Sequence, residues 1–169
     1  CSTGASVANG DPECSLRAAL QQANHNGVPS TIIFDIPMAG GGAPRITPAS
    51  ILPFAAVPVN IDGRTQPGSG YVVVSGGAIA GELSGLVLNE GASQVRGLSI
   101  VNFQGHGIEL NYEPGNIIAG NYIGVEPDGA PGGNGRAGIF VGSSDNRIGG
   151  VTAAERNVIA GNGFRTGAS

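Results

Sequence analysis

The sequence predicts an all-β fold, a parallel β-helix (solenoid) of about four to five short coils with one capping α-helix at its N-terminal end. Three observations carry this reading. Asn-Ile-Ile-Ala-Gly-Asn at 116–121 and Asn-Val-Ile-Ala-Gly-Asn at 157–162 are nearly the same six residues, and Asn146-Arg147-Ile148-Gly149 between them is a third relative. The apolar runs are short, rich in Val and Ile, and separated by turn residues; 31 Gly and 11 Pro in 169 residues supply dense turns rather than disorder. Units this small cannot bury their apolar side chains alone, so they stack, and a fixed position then recurs as a ladder along the stack.

One helix is expected, over Ser15–Asn24. Leu16, Ala19, Leu20 and Ala23 follow the i, i+3, i+4, i+7 spacing of one apolar face, Ser15 can accept from the first-turn amides, and Asn26-Gly27 supplies a stop. A solenoid exposes its core at each end, so the helix is expected to cover the first coil with Leu16, Leu20 and Ala23. Short strands follow at 32–36, 45–47, 59–62, 72–75, 86–88, 95–100, 108–110, 117–119, 122–125, 139–141, 147–148 and 158–160. With three strands per coil, Gly85-Leu86, Gly107-Ile108 and Gly138-Ile139 mark the same corner in successive coils. The segment Glu126–Gly135, rich in Gly and Pro, reads as a loop bulging from the coil. A leucine-rich repeat, suggested by Val95-x-x-Leu98-x-Ile100-x-Asn102, is rejected because Gly105, Gly107, Pro114 and Gly115 leave no room for its convex segment. The chain thus divides into 1–30, a cysteine loop and capping helix, and 31–169, coils ending mid-repeat where the next corner falls at Gly167-Ala168.

Composition narrows the function. Aromatics are 5% and Trp is absent, so Val, Ile, Leu and Ala fill the core. All eight basic residues are scattered Arg and the net charge is −4, which offers no footprint for nucleic acid. No run approaches the ~18 apolar residues of a membrane span. Cys1 and Cys14 are the only cysteines. A disulfide in an oxidising compartment is preferred over two free thiols or a metal site, which would need more ligands.

These residues carry a resemblance. Cys1 with Cys14-Ser-Leu-Arg-x-Ala19, Thr-Ile-x-Phe-Asp-Ile-Pro at 31–37, Ile-Asp-Gly-x-Thr-Gln-Pro-Gly at 61–68, Gly-Asn-Tyr-Ile-Gly at 120–124 and Asn-Arg-Ile-Gly-Gly at 146–150 resemble the secreted bacterial right-handed parallel β-helix proteins. The resemblance implies a right-handed coil and an extracellular or cell-surface location within a larger protein. It implies no single activity.

Four constellations bear on chemistry. Gly105-His106-Gly107 is similar to the Gly-His-Gly of β-helical polygalacturonases, but the paired carboxylates that accompany it there are missing, so His106 is expected to face solvent at a corner. Asp35 and Asp62 each end an apolar strand and would form a carboxylate pair if they stacked on adjacent coils; otherwise Asp35 faces Ser75. Glu126 and Asp128 lack the ligand spacing of a calcium loop. Asn116, Asn121, Asn146, Asn157 and Asn162 recur as corner residues whose amides form a structural ladder. Regular Thr rows for ice binding are absent. No cofactor is implied.

The sequence is therefore read as a non-catalytic extracellular module: a spacer, adhesive surface or self-assembling unit of a larger secreted or cell-surface protein. Its expected partners are further coils of the same chain or end-to-end copies at the C-terminal edge, and polysaccharide is a further candidate. The alternatives are a polysaccharide lyase or glycoside hydrolase, in which His106, Asp35 and Asp62 would be the residues to test, and a carbohydrate-binding module, which needs an aromatic platform from Tyr71, Tyr112 or Tyr122.

Overall fold

The computed structural model describes residues 15–37 and 42–163. The expected Cys1–Cys14 bridge and the corner expected at Gly167-Ala168 lie outside the described residues. Within them, thirteen short strands form three parallel sheets beside one helix, an all-β, solenoid-like arrangement.

The chain passes through the sheets in rotation. The first sheet, A, holds β1 (Ser30–Ile33), β3 (Val59–Asp62), β6 (Gln94–Arg96), β9 (Ile117–Ile118) and β12 (Arg147–Ile148) as neighbours in that order. Sheet B holds β2 (Arg45–Ile46), β4 (Val72–Ser75), β7 (Leu98–Val101), β10 (Tyr122–Ile123) and β13 (Val158–Ile159). Sheet C holds β5 (Leu86–Leu88), β8 (Ile108–Leu110) and β11 (Ile139–Val141), extended on the N-terminal side by a single bridge from Ala55 to Leu88. Five coils result, the first and last with incomplete third sides among the described residues. Val95–Ile100, expected as one strand, is two. Gly97 turns the chain at φ +63°, a left-handed conformation that glycine adopts at no steric cost, so β6 and β7 lie in different sheets.

Register explains the core. Ile32, Ile61, Val95, Ile118 and Ile148 stack in one inward column on sheet A, and Ile46, Val74, Ile100, Ile123 and Ile159 in another on sheet B. Leu88, Leu110 and Val141 continue the pattern on sheet C. β-Branched residues suit this role because a pleated surface restricts their side chains little further. The glycine corners fall where the sequence placed them. A Cβ on Gly85 or Gly107 would lie 2.6 Å from the carbonyl oxygen of the glycine one coil on, and Cβ atoms on Gly85, Gly107 and Gly138 would press on Ile100, Ile123 and Ile159 in turn.

The helix α1 (Leu16–Asn26) also follows its sequence signals. The Ser15 hydroxyl accepts from the Ala18 N–H at 3.2 Å, and Gly27 ends the helix at φ +68°. Leu16, Leu20 and Ala23 are buried and belong to the same core cluster as the coils. Burial of each leucine contributes about 1.5–3 kcal/mol. Arg17 clamps the helix to the third side of coil 1, donating to the carbonyls of Ser50 and Ile51 at 2.7 Å each.

Strand β1 stops at Ile33, short of the expected Ile36, because the neighbouring chain leaves the sheet. The Thr65 hydroxyl instead accepts from the Phe34 N–H at 2.8 Å, and the Gln66 amide accepts from Ile36 N–H and donates to Ile36 C=O at 2.8 and 2.9 Å. Two motifs noticed separately in the sequence, 31–37 and 61–68, thus form one clamp.

Candidate functional site

The asparagines form three ladders, one at each corner, not one. At the corner entering sheet A, Asn146 Oδ1 accepts from the Asn116 N–H, and Asn116 Oδ1 accepts from the Ser93 N–H, at 2.9 and 3.1 Å; the Ser93 hydroxyl accepts from Val59 N–H at 3.0 Å. At the corner entering sheet B, Asn157 Oδ1 takes Asn121 N–H and Asn121 Oδ1 takes Leu98 N–H, at 3.0 and 3.1 Å. At the third corner, Asn162 Oδ1 takes Asn134 N–H and Asn134 Oδ1 takes Phe103 N–H, at 3.2 and 3.1 Å. Asn121, Asn134, Asn157 and Asn162 also each donate their Nδ2 to a carbonyl of the preceding coil. Asn116, Asn121 and Asn134 are fully buried, so these bonds replace water that cannot enter.

Asn134 escaped the sequence reading because it sits in the segment taken for a bulging loop. That segment folds back on the outer face of sheet B. Ser99 donates to Val125 C=O at 3.1 Å, Asn102 N–H to Gly132 C=O at 2.9 Å, and Glu126 pairs with Arg45 at 2.5 Å. The shared sequence Gly-Asn-Gly at 133–135 and 161–163 was the available signal. The two near-identical hexapeptides are also not equivalent in space: 116–121 runs from the first corner to the second, and 157–162 from the second to the third. The sequence repeat describes one side of the coil, while the structure repeats every three sides.

The last described coil leaves this system open. Ile148, Ile159 and Val141 occupy core columns yet are 41, 46 and 48% exposed, whereas their neighbours Ile118, Ile123 and Leu110 are at 0%. A depression of about 430 Å³ lies there, lined by Ile148, Val151, Arg156, Asn157 and Ile159 among others.

His106 lies on the outer side of sheet C and is half-buried rather than free in solvent. Its Nδ1 accepts from the Ala137 N–H at 3.1 Å, which puts the ring proton on Nε2, and its ring lies 5.1 Å from that of Phe140. Nearby, the buried Ser84 hydroxyl donates to Glu109 and accepts from the His106 backbone N–H. A Ser, a His and a Glu therefore converge, but the imidazole accepts from backbone and the serine proton goes to the glutamate. The imidazole is not aimed at the hydroxyl, and the Glu109 carboxylate is the group that accepts from it.

Four carboxylates, those of Asp62, Glu82, Glu126 and Glu155, pair with arginines. Asp62 does not stack on Asp35; its register partner on β1 is Ile33 and on β6 is Arg96, and Ser75 pairs with Val101 in a different sheet. The bond from Arg64, 2.6 Å from Asp62, holds the Asp62 carboxyl below its ordinary range, with Arg96 adding to the effect. Glu82 pairs with Arg136. Glu155 pairs with Arg147 at 2.8 Å and accepts from Thr152, which lowers its pKa to about 2. Tyr71 and Tyr122 meet edge to face at 5.1 Å, and burial first, then Tyr122, pushes the Tyr71 hydroxyl up; Tyr112 stands apart, highly exposed. Among the described residues, no group of three or more His, Cys, Asp or Glu is placed to hold a metal, and no helix is long and apolar enough to cross a membrane.

No protein-family model, curated protein or solved structure matches this chain.

Proposed function

We propose that the chain is a non-catalytic β-solenoid module, a right-handed parallel β-helix with α1 as its N-terminal cap. It works as a spacer, adhesive surface or assembly unit of a larger secreted or cell-surface protein. The observation that carries this reading is the continuity of the three amide ladders. They commit the corner polar groups to holding one coil on the next, and a rod held along three lines resists bending. Two facts support it further. Asp62, Glu82, Glu126 and Glu155 all pair with arginine, and the Ser84, His106 and Glu109 side chains bond to one another or to backbone. The motifs that resemble secreted bacterial β-helix proteins also fall on joints of the coil: Thr65 and Gln66 on the clamp, Asn121 and Asn146 on the ladders.

The test is incubation of the purified protein with pectic and other acidic polysaccharides. No new reducing or unsaturated ends are expected, and His106→Ala and Glu109→Gln should change nothing. Turnover that disappears in either variant would establish the hydrolase or lyase instead. Saturable sugar binding without turnover, lost in Phe140→Ala or Tyr112→Ala, would establish the carbohydrate-binding module.

A further inference from the structure

We infer that the outer face of sheet C is a docking surface for a basic polypeptide segment, one that sets an arginine or lysine against Glu109 between two apolar side chains. The inference rests on the module reading above and names the partner of its adhesive surface.

The register lays one outward column across four coils. Ala55 bridges Leu88, which sets Phe54 beside Val87; Val87 pairs with Glu109, and Glu109 with Phe140. Alternation sends the neighbouring Ala55, Leu86, Leu88, Ile108 and Leu110 into the core, at 2% exposure or less, and leaves Phe54 and Phe140 51 and 44% exposed. Three steps at the sheet spacing put these two rings roughly 14 Å apart along the rod, with Val87 and Glu109 between them. The other two lateral faces differ. Sheet A turns Asn60, Asp62, Gln94, Arg96 and Arg147 outward, a largely polar surface. On sheet B, Val73, Ser99 and Val101 are buried, and the folded-back segment covers them: Ser99 donates to Val125 C=O, and a Cβ on Gly132 would lie 2.7 Å from Val101. Aromatic rings turned outward on one column mark sheet C as the face with apolar surface to bury.

Charge identifies the occupant. Glu109 is half-buried and accepts from two neutral donors, the Ser84 hydroxyl and, at 3.4 Å, Asn111 Nδ2, but forms no ion pair among the described residues. Arg136, on the coil of Phe140, is engaged by Glu82, and the His106 ring accepts at Nδ1 and is neutral. The Phe140 ring is held in place beside this anion. Its centroid is 5.1 Å from that of His106, and a Cβ on Gly142 would lie 3.1 Å from its edge and 3.5 Å from Asn111 Oδ1. A carboxylate and an aromatic face side by side suit a guanidinium or ammonium, which gains a charge partner from one and a π face from the other. The net charge of −4 draws cations and repels polyanions. A neutral sugar would leave Glu109 without a counter-charge. A second copy laid on this face sets Glu109 against Val87 if antiparallel and against Glu109 if parallel, so it brings no cation. An extended polypeptide spans the column with about five residues, since side chains on one side repeat every ~6.7 Å: apolar at the first and fifth, basic at the third.

The test titrates isotope-labelled protein with the end-blocked peptide Ser-Leu-Ser-Arg-Ser-Leu-Ser, read by amide chemical shifts. Saturable shifts are expected at Val87, Glu109, Asn111 and Phe140, and none at Asn60 or Ser99. The same peptide with glutamine for arginine should bind about fivefold more weakly. Glu109→Gln keeps an acceptor for Ser84 and should erase the difference between the two peptides, whereas Phe54→Ser, at an exposed position, should weaken both. Absence of saturable shifts, equal affinity of the wild type for the two peptides, or shifts confined to sheet A overturns the proposal. A neutral β-glucan hexasaccharide is the third probe. Its binding to these residues in preference to the arginine peptide would overturn the proposal in favour of the carbohydrate-binding module. Loss of peptide binding alone leaves the module reading standing, because that reading is tested by polysaccharide turnover and by the ladders.

Discussion

Asn134→Ala is the most discriminating substitution, because the sequence places this residue in a loop and the structure places it in the core. The change removes the acceptor of the Phe103 N–H, at 3.1 Å, and Phe103 is about as buried as Asn134 itself; the Ile100 carbonyl loses the Asn134 amide at 3.0 Å but still accepts from the Gly124 N–H at 2.9 Å. One buried polar group left without a partner costs about 1–3 kcal/mol, with about 2 kcal/mol as the middle value. In a chain of this size each kcal/mol moves the melting temperature by about 2–4 °C, which gives a loss of roughly 4–8 °C. Differential scanning calorimetry measures this. Because stacked coils can unfold in stages, exchange of the Phe103 amide should be followed beside that of Asn121, and Phe103 should lose protection first. Asp128→Ala, in the exposed turn where the carboxylate accepts from Ala130 N–H at 2.9 Å, is the control and should cost within about 1 kcal/mol. An Asn134→Ala protein that melts within about 3 °C of that control would refute the ladder at the third corner.

Three further outcomes are expected. Leu20→Asp puts an unpaired charge at a buried position under the helix and should cost several kcal/mol by chemical denaturation; a midpoint near wild type would mean the helix does not seal the core. Gly107→Ala drives a methyl to 2.6 Å from the Gly138 carbonyl and should destabilise by about 1–3 kcal/mol or more, whereas Ala92→Gly, at φ +55°, should be neutral or stabilising by up to about 1 kcal/mol, both read by thermal melting. Glu155 has a folded pKa near 2 against an ordinary 4.5, so its contribution with Arg147 is fully present above about pH 4.5 and is lost as pH falls toward 2; NMR titration of the Glu155 carboxyl should give that low value, and an unshifted titration would break the Arg147–Glu155–Thr152 cluster.

The sequence made the local features legible. Ser15, the Leu16/Leu20/Ala23 face and Gly27 define α1 because each acts within a few residues of its partner. The Gly85, Gly107 and Gly138 corners were legible for a related reason: the same dipeptide pattern marks the same steric need in each coil. Register was not legible, because it joins residues about thirty positions apart through loops of unequal length. Asn116 and Asn157 begin nearly identical hexapeptides, yet they stand at different corners, since each hexapeptide needs only an inward Ile and an Asn at a bend. Asn134 was hidden by the glycines and prolines around it. For the candidate site, His106 was singled out from its glycines, but its partners Ala137 and Phe140 are one coil away, and Ser84 and Glu109 carry no local signal at all. The sequence left open whether Asp35 and Asp62 stack, because pairing is decided by the strand register, which sets Asp62 against Ile33.

The central claim is that three amide ladders join the coils in this register, and through-hydrogen-bond scalar couplings in isotope-labelled protein test it most directly. Couplings are expected from the backbone nitrogens of Asn116, Asn121 and Asn134 to the side-chain carbonyl carbons of Asn146, Asn157 and Asn162, in that order. A coupling from Asn116 to Asn157, the pairing that the repeated hexapeptide would favour, or couplings from these amides to backbone carbonyls instead, would contradict it.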